Sequence, residues 1–215
     1  MSPLAPRVIL LAKAPVAGRS KTRLCPPCTP QQAAALAEAA LRDTCAAIDA
    51  VAGVTPVVVL DGSPGSWLPR RFRVVAQRGG GLGDRLAGAF RDVGGPALLV
   101  GMDTPQVTPE LLMECWRVLL RPSVDAVLGP ALDGGFWAIG LRSPADAAFD
   151  GVPMSEPQTC VRQRQALAAL ALRTVDLPTL RDVDTFDDAQ AVAAQIPSSH
   201  FARALARVES ATAVA

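Results

Sequence analysis

The sequence has no excess of charge of either sign. Its 21 lysine and arginine residues face 20 aspartate and glutamate residues, and the formal net charge is +1. This balance excludes the strongly basic surface that is typical of proteins that bind nucleic acid or anionic membranes. We therefore expect neither nucleic acid nor a membrane among the partners, and any phosphate binding must depend on a local cluster of cations.

Long hydrophobic runs are also missing. Apolar stretches such as residues 8–12 and 57–60 are far shorter than the roughly 20 residues that cross a bilayer. The first of them is followed at once by Lys13, which is unlike a signal peptide. These patterns predict a cytoplasmic protein.

Residues that commonly bind metals or form disulfides are scarce. The chain has one histidine, His200, no tyrosine, and five cysteines, an odd number that does not suggest a disulfide framework. Cys25 and Cys28 have the spacing of a redox or zinc half-site, but no second such pair accompanies them. We interpret them as thiols of a proline-rich loop, and the other cysteines as small hydrophobic side chains.

What the sequence does contain is typical of one globular domain. Hydrophobic residues make up 50% of the 215 residues, and predicted strands and helices alternate along the chain, as in a mainly parallel sheet with helices on both faces. We expect a three-layer Rossmann-like α/β fold over residues 1–215, with a core at about 7–195 and a C-terminal helical tail at 198–215.

Apolar runs and turn residues give the positions of the elements. Strands are predicted at residues 8–12, 54–60, 72–76, 96–101, 125–128, 136–141 and 174–177. Helices are predicted at 29–51, after the glycine-rich turn 79–83 up to about 92, at 108–121, at 161–172, from 185, and after 197, with an irregular loop at 142–160. Thr29, Pro30 and Gln32 form the start signal of the first helix.

The first polar cluster follows the first strand. It contains the residues Lys13, Gly18, Arg19, Lys21 and Arg23. Glycine allows close backbone approach, and packed cations neutralise a polyphosphate. The spacing differs from that of a Walker A loop, and the alternative is a solvated basic loop. Ligands of open parallel sheets bind beyond the carboxyl ends of the strands, where this cluster lies.

Two aspartates are candidate metal ligands. Asp103 follows the apolar strand 96–101, and Asp184 precedes the helix that Thr185 begins. Carboxylates at strand ends are suited to Mg²⁺ or Mn²⁺, which prefer oxygen ligands. The alternative for each is a plain turn or helix cap.

The segment Asp133, Gly134 and Gly135 lies before the predicted strand 136–141. Paired glycines permit a positive-φ turn against which a substrate can lie, and the alternative is an ordinary tight turn between strands.

Gln77, Gly83 and Arg85 form a supporting cluster around the start of the second helix. Arg85 is placed to reach a phosphate from that helix start. The alternative is a surface ion pair within the helix.

Together these segments resemble the DUF2064 family of glycosyltransferase-like proteins. The motifs are AKAPVAGRSKTRL at 12–24, LGDRL at 82–86, GMDTP at 101–105, GPALDGGF at 129–136 and DVDT at 182–185. They occur in the family's order and span roughly residues 7–195. The family belongs to the nucleotide-diphospho-sugar transferase superfamily, which has the GT-A fold, and it is similar to phospholactate guanylyltransferases.

The resemblance implies a nucleotide-binding N-terminal half, Asp103 as a metal ligand, and an acceptor side near residues 133–137. The sequence departs from the family pattern on that acceptor side. Phe136 replaces the usual tyrosine, and residues 152–157 replace an expected Trp-Ser-Thr segment.

Three functions remain open at this point. In nucleotidyl transfer, a nucleoside triphosphate (NTP) and Mg²⁺ or Mn²⁺ would bind at Asp103, and Lys21 and Arg23 would offset charge on the phosphates while a small phosphate or carboxylate compound accepts the nucleotide. In glycosyl transfer from a nucleotide sugar, Asp133 would act as general base. The third possibility is a nucleotide-binding regulator without catalysis. A homodimer is possible, although nothing in the sequence requires one.

Overall fold

A computed structural model of the chain describes residues 6–212, and a seven-stranded sheet forms its centre. The strand order is β3-β2-β1-β4-β6-β5-β7. The strands are β1 Arg7–Lys13, β2 Thr55–Asp61, β3 Arg73–Ala76, β4 Ala97–Gly101, β5 Ala126–Pro130, β6 Phe136–Leu141 and β7 Thr174–Asp176. All seven predicted strands are present, with bounds that shift by at most a few residues.

One strand runs against the others. β6 pairs antiparallel with both β4 and β5, whereas every other pairing in the sheet is parallel. The prediction of a mainly parallel sheet is therefore confirmed. Because of this reversal, β5 and β6 form a hairpin, and the amino end of β6 lies at the same sheet edge as the carboxyl ends of the other six strands.

Within residues 6–212, six α-helices surround the sheet. They are α1 Pro30–Asp49, α2 Leu82–Val93, α3 Pro109–Leu119, α4 Thr159–Ala169, α5 Phe186–Gln195 and α6 His200–Thr212. α1 begins as predicted, because the Thr29 hydroxyl accepts from the Gln32 amide N–H and the Gln32 side chain accepts from the Thr29 N–H. The hydroxyls of Thr108 and Thr185 likewise accept from backbone N–H groups at the starts of α3 and α5, and Asp188 completes a capping box at α5.

Helices cover both faces of the sheet. In β1, Val8 and Leu10 are buried in one apolar cluster with residues of α1 and α3, while Ile9 is buried in a second cluster with residues of α2 and α4. Alternate side chains of one strand therefore enter two different cores, as expected for a strand buried on both faces. This is the predicted three-layer α/β arrangement.

The C-terminal helix α6 belongs to a third apolar cluster. Phe201, Leu205 and Val208 are buried and pack with residues of α1 and α5. The N–H groups of His200 and Phe201 donate to the Asp43 carboxylate of α1, at 3.0 and 2.8 Å. The helical segment predicted beyond residue 197 is thus packed against α1, and the core extends past residue 195.

The loop predicted at 142–160 contains more regular structure than expected. A 3₁₀ turn occupies Asp146–Phe149, and α4 begins at Thr159 rather than at 161. The Thr159 hydroxyl ties this segment together, since it donates to the Pro153 carbonyl and accepts from the Glu156 N–H. Short-range side-chain bonds of this kind leave no apolar periodicity in the sequence.

All five thiols are free in the structure. Cys45, Cys115 and Cys160 are buried, as expected for small hydrophobic side chains. Of the two thiols in the proline-rich loop, Cys28 is buried and Cys25 is partly exposed. Burial raises the pKa of the Cys45 and Cys115 thiols to about 12. No helix within residues 6–212 combines the length and the apolar character needed to cross a bilayer.

Candidate functional site

A cavity of about 680 Å³ opens where the carboxyl ends of the parallel strands meet the amino end of β6. Its size lies within the roughly 300–1,000 Å³ that is usual for small-molecule sites. Ten of the predicted site residues line it: Lys13, Arg19, Lys21, Arg23, Gln77, Arg85, Asp103, Asp133, Gly135 and Asp184. The predicted residues Gly18, Gly83 and Gly134 lie outside this lining.

One side of the cavity is the segment 13–23, which we call the basic loop. Ser20 holds its turn, because the Ser20 hydroxyl accepts from the Val16 N–H at 2.9 Å and the Ser20 N–H donates to the Val16 carbonyl at 3.0 Å. Gly18 lies at the tip with a φ of 77°, and no atom outside the turn would meet a Cβ there. Lys13 and Arg19, exposed side chains, face the cavity.

Lys21 points inward from this loop. Its side chain is only 8% exposed, and its ammonium lies 2.5 Å from Asp103 Oδ1 and 3.7 Å from Asp184 Oδ1. The same ammonium donates to the Val183 carbonyl. Lys21 has a left-handed backbone conformation with a φ of 49°, which is uncommon for a residue with a side chain. The predicted cation and both predicted metal ligands therefore form one cluster.

Asp103 and Asp184 come from distant parts of the chain. The Val183 N–H donates to the Asp103 carbonyl at 2.8 Å, which fixes the segment before α5 against the end of β4. Arg23 adds a second cation at the edge of this cluster. Its Nη1 atom lies 3.2 Å from Asp184 Oδ2, and its side chain is mostly exposed. The two carboxylates are themselves partly exposed to the cavity, at 39% and 35%.

Asp182 also belongs to this cluster, although we predicted no role for it from the sequence. Burial, followed by the charges of Asp103 and Asp133, raises the pKa of the Asp182 carboxyl to about 7, while Lys21 opposes the increase. Its Oδ1 atom is buried and lacks a hydrogen-bond partner among the described residues. A buried carboxylate oxygen of this kind is costly unless a cation or another donor satisfies it.

The donor set suits a hard divalent cation in its chemistry. Asp103, Asp182 and Asp184 offer carboxylate oxygens, the ligands that Mg²⁺ and Mn²⁺ prefer, and one of them, Asp182 Oδ1, is unpartnered. Their spacing in this structure, however, is not that of a metal site. In the described part of the chain, no group of three or more His, Cys, Asp or Glu side chains is placed to hold a metal together. The Lys21 ammonium lies between two of these carboxylates instead.

Gln77 and Arg85 line the side of the cavity nearest β1 and β2. The Gln77 amide group donates to the carbonyls of Ala12 and Val59 at 2.6 and 3.1 Å, so that its remaining free group is the Oε1 acceptor. Arg85 donates to the Gly80 carbonyl at 3.3 Å and lies 4.0 Å from the Asp61 carboxylate at the end of β2. The ion pair between Arg85 and Asp61 joins α2 to β2, whereas the predicted alternative was an ion pair within the helix.

The opposite side of the cavity consists of residues 131–135 together with residues 153–160, which we call the hairpin wall. Residues 131–135 connect β5 to β6, as in the predicted tight turn. Asp133 is exposed to the cavity, and its Oδ1 accepts from the Gly135 N–H at 2.8 Å. Asp133 thus stabilises its own turn and also presents a carboxylate to the cavity.

Gly134 and Gly83 contact protein instead of the cavity. Gly134 has a φ of 90°, and a Cβ there would lie 1.9 Å from the Pro157 carbonyl oxygen. The Gly134 carbonyl accepts from the Cys160 N–H at 2.8 Å, so the two halves of the hairpin wall meet through their backbones. A Cβ at Gly83 would meet the Phe149 carbonyl oxygen at 3.3 Å. The positive-φ turn is confirmed, and what lies against it is residues 157–160.

The residues that depart from the family pattern are part of the cavity. Phe136 lines it, as do Met154, Glu156 and Pro157 from the segment that replaces Trp-Ser-Thr. Trp137, also in the lining, is buried and donates from its indole N–H to the Pro178 carbonyl at 2.9 Å. This side of the cavity is therefore more apolar than the side formed by the basic loop.

Comparison with solved structures shows the same fold in other proteins. A candidate nucleotide-diphospho-sugar transferase from Desulfovibrio desulfuricans G20 is 27% identical, covers 96% of both chains and has a TM-score of 0.83. CMP:2-keto-3-deoxy-manno-octonic acid synthetase, solved with CTP, is 14% identical over 90% of this chain and 98% of its own, with a TM-score of 0.58.

A cytidylyltransferase from Leptospira borgpetersenii is 10% identical over 98% of this chain and 96% of its own, with a TM-score of 0.59. At such low identities, these last two likenesses concern the fold alone. A search of curated proteins finds no significant match.

The sequence profile of one family also matches the chain. It is that of DUF2064, described as an uncharacterized protein conserved in bacteria, and it matches residues 33–156. The match includes Asp103 and the hairpin of β5 and β6, while the basic loop and Asp184 lie outside it. Since it covers more than half of the chain and agrees with the GT-A-like fold, the protein belongs to the DUF2064 family.

Proposed function

We propose that the protein is a metal-dependent transferase that moves a nucleotidyl group from an NTP to a small acceptor bearing a phosphate or carboxylate. The observation that carries this proposal is the placement of the basic loop and the Asp103 and Asp184 carboxylates on one cavity. Cations placed beside a carboxylate pair, on a cavity of this size, are what a metal-bound polyphosphate requires.

The basic loop would bind the phosphates. Lys13 and Arg19 are exposed to the cavity, and Arg23 keeps most of its side chain exposed beside Asp184. An arginine can grip two phosphate oxygens at once, and a lysine contributes a compact charge. In this proposal, these side chains orient the triphosphate and offset the negative charge that develops on the leaving pyrophosphate.

Asp103 and Asp184 would hold Mg²⁺ or Mn²⁺, with Asp182 as a further oxygen donor close by. When bound, the cation neutralises phosphate oxygens and polarises the phosphorus centre. The protein's own contribution is to join the backbone segments that carry the two carboxylates, through the bond from the Val183 N–H to the Asp103 carbonyl.

The hairpin wall would receive the acceptor. Asp133 presents a carboxylate to the cavity, while Phe136 and Met154 present apolar surface beside it. This combination fits a small molecule with an apolar portion and one polar end, whose anionic group faces the basic loop.

Release of pyrophosphate is the test of this function. Each common NTP is incubated with Mg²⁺ or Mn²⁺ and a panel of phosphate and carboxylate acceptors, and pyrophosphate is measured. Asp103→Asn should lower the rate by roughly 10²–10³-fold, the size seen when one preorganised electrostatic group is lost. Asp187→Asn makes the same change on the exposed first turn of α5, outside the cavity lining, and serves as the matched control.

A thermal-shift panel identifies the nucleotide before any acceptor is known. A ligand at about 100 times its Kd stabilises the folded state by roughly 2.7 kcal/mol, which raises the melting temperature measurably. We expect a metal-dependent shift with an NTP that Asp103→Asn removes. A broad acceptor screen without pyrophosphate release, combined with no thermal shift from any NTP, would contradict the proposal.

Glycosyl transfer from a nucleotide sugar is the second candidate. It is favoured by the 27% identity to a candidate nucleotide-diphospho-sugar transferase and by the Asp133 carboxylate in the cavity, which could serve as general base. The two reactions release different products, since only glycosyl transfer releases a nucleoside diphosphate. Measuring that product with a set of nucleotide sugars separates them.

A further inference from the structure

The basic loop contains a lysine whose charge is already matched by carboxylates of the site. We propose that Lys21 is an internal counter-ion that competes with a divalent cation for Asp103 and Asp184, and that nucleotide phosphates draw it away so that metal and nucleotide bind together. This inference rests on the proposed function for the identity of the anion, and it concerns how the same site is regulated.

The geometry makes the competition direct. The Lys21 ammonium lies 2.5 Å from Asp103 Oδ1, close to the 2.0–2.1 Å at which Mg²⁺ would bind the same oxygen. It also lies 3.7 Å from Asp184 Oδ1 and donates to the carbonyl of Val183, the residue before Asp184. Two cations at such distances repel each other strongly, because the low exposure of Lys21 limits screening by water.

The type of residue is informative. The sequence has two lysines, Lys13 and Lys21, and both belong to the basic loop. All other basic residues except His200 are arginines. An ammonium is a compact point charge on a flexible stem, whereas a guanidinium is planar and wide. Lysine is therefore the basic side chain that can lie between two carboxylates as a small cation does, and that can also leave by rotating its stem.

The cavity provides the second position for this ammonium. Lys21 lines the same space as Lys13 and Arg19, where the phosphates are proposed to bind. Asp103 and Asp184 remain partly exposed to that space, so a cation can approach them from the cavity. A phosphate that accepts the Lys21 ammonium would free Asp103, and by linkage each ligand then raises the affinity for the other by the same factor.

Metal affinity without nucleotide tests the competition. Mn²⁺ binding is measured by titration calorimetry and by electron paramagnetic resonance on the wild type and on Lys21→Met. Removal of the competing charge should tighten the Kd for Mn²⁺ by roughly tenfold or more, which corresponds to about 1.4 kcal/mol per factor of ten. Lys13→Met removes the same charge from the same loop without touching Asp103, and its effect should be much smaller.

The wild type gives a second measurement that needs no variant. With selectively ¹³Cε-labelled lysine, the protein shows two lysine signals, which the Lys13→Met spectrum assigns. Addition of Mg²⁺ together with the NTP that stabilises the protein should move the Lys21 signal away from its position in the protein alone. Mg²⁺ by itself should move it only at much higher concentration.

The outcomes separate this inference from the proposed function. Equal or weaker Mn²⁺ affinity in Lys21→Met, no Mn²⁺ binding in either protein, or a Lys21 signal that ignores Mg²⁺ and NTP would overturn the inference, even if the enzyme releases pyrophosphate. Tighter Mn²⁺ binding in Lys21→Met together with the shift of the Lys21 signal supports it. If no transfer reaction is then found, only the proposed function fails.

Discussion

The two sides of the cavity are built in different ways. The basic loop is held by side chains, with Ser20 closing its turn and Lys21 reaching across to Asp103. The hairpin wall is held by backbone packing, with Gly134 against the Pro157 carbonyl and its own carbonyl accepting from Cys160. Charged contacts can be exchanged for contacts with a ligand, whereas close backbone packing tolerates little change in shape.

This contrast suggests that one side of the cavity adapts to a ligand while the other keeps a fixed shape. The basic loop can rearrange its ion pairs when a charged ligand arrives, because its cations contact exposed or partly exposed carboxylates. The hairpin wall fixes the shape of the side where the acceptor is proposed to bind. Three predictions test this difference between an adaptable side and a rigid one.

The largest effect is expected from an added methyl group in the hairpin wall. Gly134→Ala places a Cβ 1.9 Å from the Pro157 carbonyl oxygen at a φ of 90°, so that strain and overlap act together. We expect a loss of about 3 kcal/mol in the free energy of unfolding, measured by urea denaturation. Gly18→Ala is the matched control, because Gly18 also has a positive φ but nothing within 4 Å, and about 1 kcal/mol is expected there. Equal losses at the two glycines would contradict the rigid packing described for this wall.

A smaller effect is expected from an exposed cation of the basic loop. Arg19→Gln should raise the KM for the nucleotide by roughly tenfold, the value of one charge-assisted contact, while the free energy of unfolding stays nearly constant. Arg207→Gln, on α6 and outside the cavity lining, makes the same change and should leave KM unaltered. If Arg19→Gln instead destabilised the fold without affecting KM, the loop would be a structural element and the comparison would break down.

The smallest effect concerns thiol reactivity. Comparing the reaction rates of two cysteines compares the mobility of the basic loop with that of the hairpin wall. Cys25 follows the basic loop and is partly exposed, while Cys160 is buried behind Gly134. Burial raises the pKa of the Cys160 thiol, so less thiolate is present at a given pH and its reaction should accelerate only as the pH rises.

At pH 8, a thiol reagent should therefore modify Cys25 first, as followed by mass spectrometry. Cys25→Ser should remove the rapid phase and leave the slow one. A Cys160 that reacts as fast as Cys25 would show that the hairpin wall opens readily.

The fold could be predicted from local signals in the sequence. Apolar runs at 8–12 and 96–101 marked buried strands, and Thr29 with Gln32 marked the start of α1. The reversed direction of β6 was not predicted, because strand direction depends on how a connection closes in space and leaves no periodic pattern. The start of α4 was also missed, since the hydroxyl of Thr159 bonds within a segment that has no apolar repeat.

The candidate site was predicted as a set of residues, without its contacts. Strand ends pointed to Lys21 and Asp103 separately, and the ion pair between them depends on a fold that joins residues far apart in the chain. Asp182 was missed because its burial results from tertiary packing, although its place two residues before Asp184 was a signal. The position of Gly134 against Pro157 likewise needed the structure.

The reversal of β6 has a consequence for how this scaffold can diversify. Both ends of the connection 131–135 lie at the cavity, because β5 arrives at that edge and β6 departs from it. A change in this hairpin that keeps Gly134 against the Pro157 carbonyl alters the cavity without requiring a new crossover helix or a shift of the parallel strands. If the acceptor binds at the hairpin wall, as we propose, then substitutions within residues 131–135 would change acceptor choice while the basic loop stays unchanged.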